Sequence, residues 1–161
     1  MKRAESGRWL DGYFAPEKAA AFVLENRLAG NMYNYYNYGG YLIWRLAPSR
    51  KVFIDGRNLY QHVYENSLTI NNADPRDLSG LNLPAWKTVL RYYDINYIVV
   101  PLFTPSGEVL PLVPVLAGDR EWVPVFFDYS AMIFVKDVPA NAEVIRKYAI
   151  PKDYFMANIP H

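Results

Sequence analysis

The sequence predicts an α/β fold in three layers, with a mainly parallel sheet, flanking helices and a C-terminal antiparallel hairpin. Strand-like and helix-like segments alternate along the chain as far as Val100. The consecutive apolar residues of Val52–Ile54 and Ile98–Val100 are typical of strands that are buried on both faces. Near the C-terminus, only Asp128–Ser130 separate two strand-like runs, a spacing that suits an antiparallel hairpin.

The first helix is predicted over Pro16–Leu28, because proline suits the first turn, apolar residues recur along one stripe and a glycine follows at position 30. Met32–Tyr36 is rich in tyrosine and predicts a strand that runs into two glycines. Tyr41–Leu46 then suits a short helix that stops before a proline. The apolar run within Lys51–Asp55 predicts the second strand, and Leu59–Ser67 the next helix.

Asn71–Leu83 is rich in Asn, Asp, Ser, Gly and Pro, and it predicts a long surface excursion of the type that carries insertions and lids. A third helix begins at Pro84, because Trp86, Val89, Leu90 and Tyr93 recur at helical spacing. Tyr97–Val100 is the third strand.

The last third of the chain predicts a short helix that tolerates Pro111 and Pro114 in its first turn. The hairpin strands are Trp122–Phe127 and Ala131–Lys136, and Pro124 places the first of them at an edge or a bulge. Asn141 is a candidate cap for a final helix that reaches Tyr148.

Length and composition predict one domain. We expect residues 16–150 to form a single α/β domain, residues 1–15 an N-terminal extension or linker, and residues 151–161 a C-terminal tail. A formal net charge of +1 argues against a nucleic-acid partner. No apolar run approaches the length of a membrane span, and no secretory signal follows Met1, so the chain is expected to be either cytosolic or excised from a longer protein.

The absence of cysteine excludes thiolate chemistry, and two histidines are too few for a histidine-rich metal site. No serine lies in a nucleophile elbow, and no triad can be assembled. We therefore assign no catalytic residue, no metal ligand and no cofactor. A carboxylate site for a hard cation stays open.

The candidate binding region lies around the two glycines and the loop that follows the second predicted strand. Loops at the carboxyl ends of neighbouring parallel strands line the binding crevice of open α/β sheets, so we expect the diglycine and the Asp55–Arg57 corner to lie side by side. The candidate ligand-binding residues are Asn34, Asn37, Tyr38, Gly39, Gly40, Asp55, Arg57 and Tyr60.

Aromatic faces stack on sugar rings and amides bind hydroxyl groups, so the Tyr/Asn cluster before the glycines suits carbohydrate or peptide recognition. The alternative is structural: the tyrosines as strand residues and Asn37 as a helix cap. Asp55 and Arg57 likewise form either an acid beside an anion-binding guanidinium or a loop-fixing ion pair.

The run from Gly30 to Pro48, together with Lys51–Arg57 and Tyr60, resembles a pattern found after the last membrane spans of bacterial multi-pass proteins related to type C glycosyltransferases. Trp122, Asp128, Ala131 and Phe134 fit this pattern too, and the resemblance covers about Pro16 to Lys136. This chain has Tyr33 where that family often has Phe, Asn37 for Asp and Tyr38 for Trp.

Tyr35–Gly39 is also similar, more faintly, to the Trp-Trp-Asp-Tyr-Gly motif of oligosaccharyltransferase catalytic subunits, which grips the acceptor sequon. Both tryptophans and the aspartate are replaced here, and Asn37 lacks the negative charge of an aspartate. In the glycosyltransferase family the catalytic acids lie in loops between membrane spans.

These resemblances imply the soluble extracytoplasmic domain of a membrane glycosyltransferase-like protein, on the periplasmic side of the bacterial inner membrane, with an accessory or acceptor-recognition role and no turnover alone. Its partners would be the membrane-embedded portion of the same polypeptide and a carbohydrate or peptide acceptor. Two alternatives stay open: a stand-alone small α/β enzyme or sugar- or nucleotide-binding protein that uses Asp55 and Arg57, and a protein interaction module.

Overall fold

The centre of the protein is a mixed four-stranded sheet. The computed structural model describes residues 8–9, 13–57 and 60–158. Two short strands pair antiparallel near the N-terminus, β1 (Arg8–Trp9) and β2 (Tyr13–Phe14). The main sheet is formed by β3 (Asn31–Asn34), β4 (Ile95–Val100), β5 (Trp122–Phe127) and β6 (Met132–Lys136). Its strand order is β3-β4-β6-β5, so β3 and β5 form the edges.

Helices pack against both faces of this sheet. They are α1 (Glu17–Glu25), α2 (Gly39–Leu46), α3 (Gln61–Asn71), α4 (Ala85–Tyr92), α5 (Leu112–Gly118), α6 (Ala142–Tyr148) and α7 (Lys152–Asn158). Short 3-10 turns at Tyr36–Tyr38 and Pro139–Asn141 precede α2 and α6.

Alternation along the strands divides the core into two halves. In β6, Met132 and Phe134 pack with residues of α3, α4 and α5, whereas Ile133 and Val135 pack with residues of α1, α2 and α6. Successive side chains of a strand point to opposite faces, so each strand contributes to both halves.

The predicted mainly parallel sheet is wrong. Only β3 and β4 run parallel, whereas β4 with β6 and β5 with β6 are antiparallel. The hairpin is where the sequence predicts it. Its second strand, β6, also pairs with β4, so two of the three strand pairs in the sheet are antiparallel. Pro124 lies on the edge strand β5, next to a register shift, in agreement with the sequence.

The predicted strand Lys51–Asp55 is also wrong, because these residues form no ladder with β3. The segment from Arg50 to Ile54 runs beside β3 in the same direction: the Arg50 side chain bonds Leu28 O, before β3, and Ile54 bonds the Asn34 side chain at its end. A side chain thus takes the place of the expected backbone pairing.

Several helix boundaries differ from those the sequence predicts. Helix α1 ends at Glu25, and Arg27 adopts a positive φ of 51° three residues before Gly30. Helix α3 begins later and ends later than predicted, so that Asn71 is buried at its end. Asn141 stands before α6, but its side chain makes no cap hydrogen bond there, and its Nδ2 instead donates to Lys136 O at 2.8 Å.

The remaining predicted helices are confirmed. Helix α4 follows Pro84 and buries Trp86 and Leu90, and α5 follows Pro111. Residues 72–84 contain neither helix nor strand, as expected of the surface excursion. Residues 152–158, within the expected tail, form α7.

Candidate functional site

Asn34, the last residue of β3, is fully buried and binds protein backbone rather than solvent. Its Nδ2 donates to Ile54 O at 2.8 Å and to Tyr35 O at 3.0 Å. Its Oδ1 accepts from Phe53 N at 2.7 Å and from Ile54 N at 3.3 Å. Both ends of the amide are therefore used, and Asn34 holds the loop that carries Asp55.

Tyr38 is buried and joins the chain that follows the edge strand β3 to the turn that follows the opposite edge strand β5. Its hydroxyl donates to Ser130 O in the turn between β5 and β6, and its ring packs at 5.8 Å from that of Tyr35. Tyr35 N donates to Val99 O at 3.0 Å, near the end of β4. The chain from Tyr35 to Tyr38 therefore crosses the end of β4 on its way to the β5–β6 turn. Tyr38 thus fixes the course of the segment that leads into α2.

The two glycines at the start of α2 have different environments. A Cβ added to Gly39 would lie 2.3 Å from Ile54 O and 2.7 Å from Asp55 Cβ, whereas one added to Gly40 would meet nothing within 4 Å. Gly39 is therefore required for close approach of α2 to the Asp55 loop. The diglycine and the Asp55–Arg57 corner lie side by side, as expected.

Asp55 and Arg57 form an ion pair within one turn. Arg57 Nε and Nη2 donate to the two carboxylate oxygens at 2.8 and 2.7 Å, and Arg57 N donates to Oδ1 at 2.9 Å. The hydrogen-bonded guanidinium holds the pKa of Asp55 below its ordinary value. Asp55 is thus a weak base, and Arg57, whose side chain is 66% exposed, keeps free donor capacity.

The other candidate residues face solvent at the same end of the sheet. Asn37 is exposed and makes no cap for α2. Tyr60 precedes α3 and is 63% exposed, with its ring 5.7 Å from that of His62. Tyr36 contacts Tyr64 of α3 at 5.9 Å, which brings the start of α3 to this end.

The structure therefore divides the eight candidate residues. Asn34, Tyr38 and Gly39 are buried structural residues and Asp55 is partly buried, whereas exposed positions are Asn37, Gly40, Arg57 and Tyr60. Two cavities, of about 330 and 670 Å³, are lined by none of the eight. The candidate site is an open surface.

Sequence reasoning missed Tyr129, whose side chain is fully exposed in the β5–β6 turn. Asp128 is the turn residue that the sequence indicates, because its Oδ1 accepts from Ser130 N and Ala131 N, both at 2.8 Å. An aromatic residue in the middle of a short hairpin turn points away from the core. The position of Tyr129 between Asp128 and Ser130 was therefore the signal from which its exposure could have been predicted.

Within the part of the chain that the structure describes, no three His, Asp or Glu side chains are grouped so that they would hold a metal ion. None of the described helices has both the length and the apolar character needed to cross a membrane.

Comparisons with known proteins give a likeness of fold. No protein-family model matches the sequence, and no curated protein is significantly similar to it. The structure is similar to the C-terminal globular domain of an oligosaccharyltransferase from Archaeoglobus fulgidus, with a TM-score of 0.50 and 10% identity, over 85% of this chain and 100% of that domain. This supports the fainter of the two resemblances at the level of fold, and not the one to bacterial type C glycosyltransferases.

Proposed function

We propose that this chain is an accessory domain of a glycosylation enzyme and that it binds the acceptor at one exposed surface. This surface, here called the carboxyl-end surface, consists of Asn37, Gly40, Arg57, Tyr60 and Tyr129. The observation that carries the proposal is that these exposed residues all lie at the end of the sheet where β3 and β4 finish. The likeness of the fold to an oligosaccharyltransferase domain supports it.

The chemistry of this surface suits an uncharged, hydroxyl-rich or amide-rich ligand. Tyr60 and Tyr129 offer exposed aromatic faces on which a sugar ring or a peptide side chain can stack. Asn37 offers an amide donor and acceptor, and Arg57 offers donors that Asp55 does not use. The partly fixed Arg57 costs less entropy on binding than a free arginine.

The proposal places the domain on the outer side of a membrane, with the membrane-embedded portion of the same polypeptide as its partner and the bacterial periplasm as its compartment. Catalytic groups would then come from that portion. The ion pair of Asp55 supports this division of labour, because a carboxylate with a lowered pKa is a poor general base.

Titration of the isotope-labelled chain with a short oligosaccharide and with a hexapeptide that contains Asn-X-Thr tests the proposal. We expect one of the two to shift the amide signals of residues 36–40 and 55–57, with millimolar affinity or tighter. Tyr129→Ala should weaken that binding, and Tyr92→Ala should not, because Tyr92 is 81% exposed at the other end of the sheet. Absence of shifts with both probes, or equal loss in both variants, would contradict acceptor binding.

A second candidate function is a protein interaction module, which the exposed aromatic side chains of the same surface favour. It predicts that neither probe binds. Tyr60→Ala and Tyr129→Ala would instead weaken association with the membrane-embedded portion when the two are co-expressed.

A further inference from the structure

The larger cavity lies where a fifth strand would pair with β3. It has a volume of about 670 Å³ and is lined by residues 29–32, residues 48–53, Val63, Tyr93 and Ile95. Within the described chain, no backbone hydrogen bond joins Lys51 or Val52 to β3. The open edge of the sheet and the segment beside it are thus separated by a space of the size that small-molecule sites have.

The charged residues of this cavity are all basic. Arg50 and Lys51 line it, and no Asp or Glu side chain is among the residues that do. Neither cation forms an ion pair with a carboxylate of the described chain. Unpaired cations in a concave site without acidic residues create a local positive potential that the net charge of +1 does not reveal.

The Arg50 guanidinium is held in place from the protein side. Its Nε donates to Leu28 O at 2.6 Å and its Nη1 to Ser49 O at 2.8 Å. The hydroxyl of Tyr97, a residue that is 1% exposed, lies close to this guanidinium. Burial raises the pKa of Tyr97 to about 12, against the opposing effect of Arg50, so this hydroxyl stays neutral.

Another part of the cavity wall is aromatic, and its side chains are held by contacts with the protein. The rings of Phe53 and Tyr93 meet edge to face, with centroids 4.9 Å apart. Tyr93 is fixed at both ends, because its hydroxyl accepts from Asn66 Nδ2 at 3.0 Å and its carbonyl accepts from Asn31 Nδ2 at 3.0 Å. A wall that is fixed before binding loses little entropy when a ligand arrives.

We propose that this cavity binds a small organic anion, with its phosphate or carboxylate group between Arg50 and Lys51 and its ring or hydrocarbon part against Phe53 and Tyr93. A planar guanidinium is suited to either oxyanion, and the lysine adds a second, mobile charge. The site lies along the free edge of β3, shares no lining residue with the carboxyl-end surface and does not depend on the proposed function.

The test uses four probes with the isotope-labelled 161-residue chain: phenyl phosphate, benzoate, inorganic phosphate and the neutral phenol. We expect at least one of the two aromatic anions to shift the amide signals of residues 31–32 and 49–53. It should bind at least about tenfold more tightly than phenol or inorganic phosphate, because only it uses both parts of the cavity. The better of the two identifies the anionic group.

Two charge-reversal variants separate a local site from an effect of net charge. Lys51→Glu places an acid in the cavity, whereas Lys18→Glu makes the same change at an exposed position of α1. Binding of the better anion should weaken at least about tenfold in the first variant and stay within about twofold in the second. Lys51 is exposed and makes no ion pair with any described residue, so we expect its replacement to leave the fold intact.

Three results would overturn the proposal. One is the absence of shifts at residues 49–53 with both aromatic anions at about 10 mM, a concentration at which even a site with a millimolar Kd would be mostly occupied. Another is equal weakening in the two variants, and the third is binding of phenol that equals that of the anions. Arg50→Gln adds a second readout: a folded variant that keeps full affinity would exclude the guanidinium.

Discussion

The amide of Asn34 is hydrogen bonded to both backbone groups of Ile54: its Nδ2 donates to Ile54 O at 2.8 Å and its Oδ1 accepts from Ile54 N at 3.3 Å. One side chain at the end of β3 thus fixes a loop twenty positions later in the sequence. The carbonyl of that loop residue then lies against Gly39, so the course of the loop and the start of α2 depend on each other.

Asn34→Ala should lower the free energy of unfolding by about 3 kcal/mol, because it leaves buried backbone donors and an acceptor without partners. Urea denaturation measures the loss, and amide hydrogen exchange should accelerate at Phe53 and Ile54. Asn37→Ala is the matched control, since the exposed Asn37 makes no cap and should stay within about 0.5 kcal/mol of the wild type. Equal losses in the two variants would contradict the role given to Asn34.

Gly39→Ala and Gly40→Ala should differ in sign or size of effect. The added Cβ at position 39 meets Ile54 O and must displace it, whereas the one at position 40 meets open space. We expect a loss of more than about 1 kcal/mol for the first and a change between zero and a gain of about 1 kcal/mol for the second. Thermal unfolding of both variants gives the comparison. If Gly39→Ala were the more stable of the two, the Asp55 loop would move aside for the added Cβ without cost.

Tyr33→Phe should cost about 1–2 kcal/mol of unfolding free energy. The buried hydroxyl of Tyr33 donates to Asn71 Oδ1 at 2.7 Å and lies 3.2 Å from Ser67 O, so its removal leaves a buried acceptor of α3 unpaired. Tyr129→Phe is the control, because that side chain is fully exposed. Denaturation midpoints that match between these two variants would contradict the assignment.

Acid should weaken the fold in part through Asp74. Hydrogen bonds from Arg76 lower the pKa of Asp74 from 3.8 to about 2, so this carboxylate contributes stability that is complete above the unfolded value and is lost as the pH falls through the folded one. Asp74→Asn should flatten the stability profile between pH 4 and pH 2. Asp153→Asn removes a charge from an exposed site of α7, and a similar flattening there would assign the effect to net charge instead.

NMR titration of the Asp55 carboxyl offers a separate test of its ion pair with Arg57. The midpoint should lie below the ordinary range of an aspartate and should return toward it in Arg57→Gln, because the guanidinium that stabilises the charged form is then absent. A midpoint that does not move would show that the two side chains are separated in solution.

Local patterns predicted much of the fold. Strand β4, helix α4 and the hairpin are each predicted by an apolar pattern or a short turn. Each of these signals is contained within the few residues that form the element. The run Val52–Ile54 has the same apolar character as β4, yet the side chain of Asn34 occupies its backbone groups. That competition depends on a residue far away in the sequence, which no local pattern reports.

The candidate site was predicted in position better than in role. Gly39 lies next to Asp55 as expected, although the Asn34 side chain, and not the predicted pair of parallel strands, holds the Asp55 loop there. Whether an amide or a phenol side chain faces a ligand or the protein backbone does not follow from the residue type, so the sequence alone does not separate the buried Asn34 and Tyr38 from the exposed Asn37 and Tyr60. The cavity beside Arg50 is not predictable from the sequence, because it arises where the apolar run at Val52–Ile54 does not pair with β3.

The segment from Arg50 to Ile54 also limits how molecules of this protein can associate. A bare outer strand is a template on which another copy can add, and repeated addition leads to aggregates. Here that segment lies beside β3 and covers this edge of the sheet. At the opposite edge, Pro124 lacks a backbone N–H, so β5 has one hydrogen-bond donor fewer. In the part of the chain that the structure describes, both outer strands of the four-stranded sheet thus carry a feature that opposes the addition of a further strand from another copy.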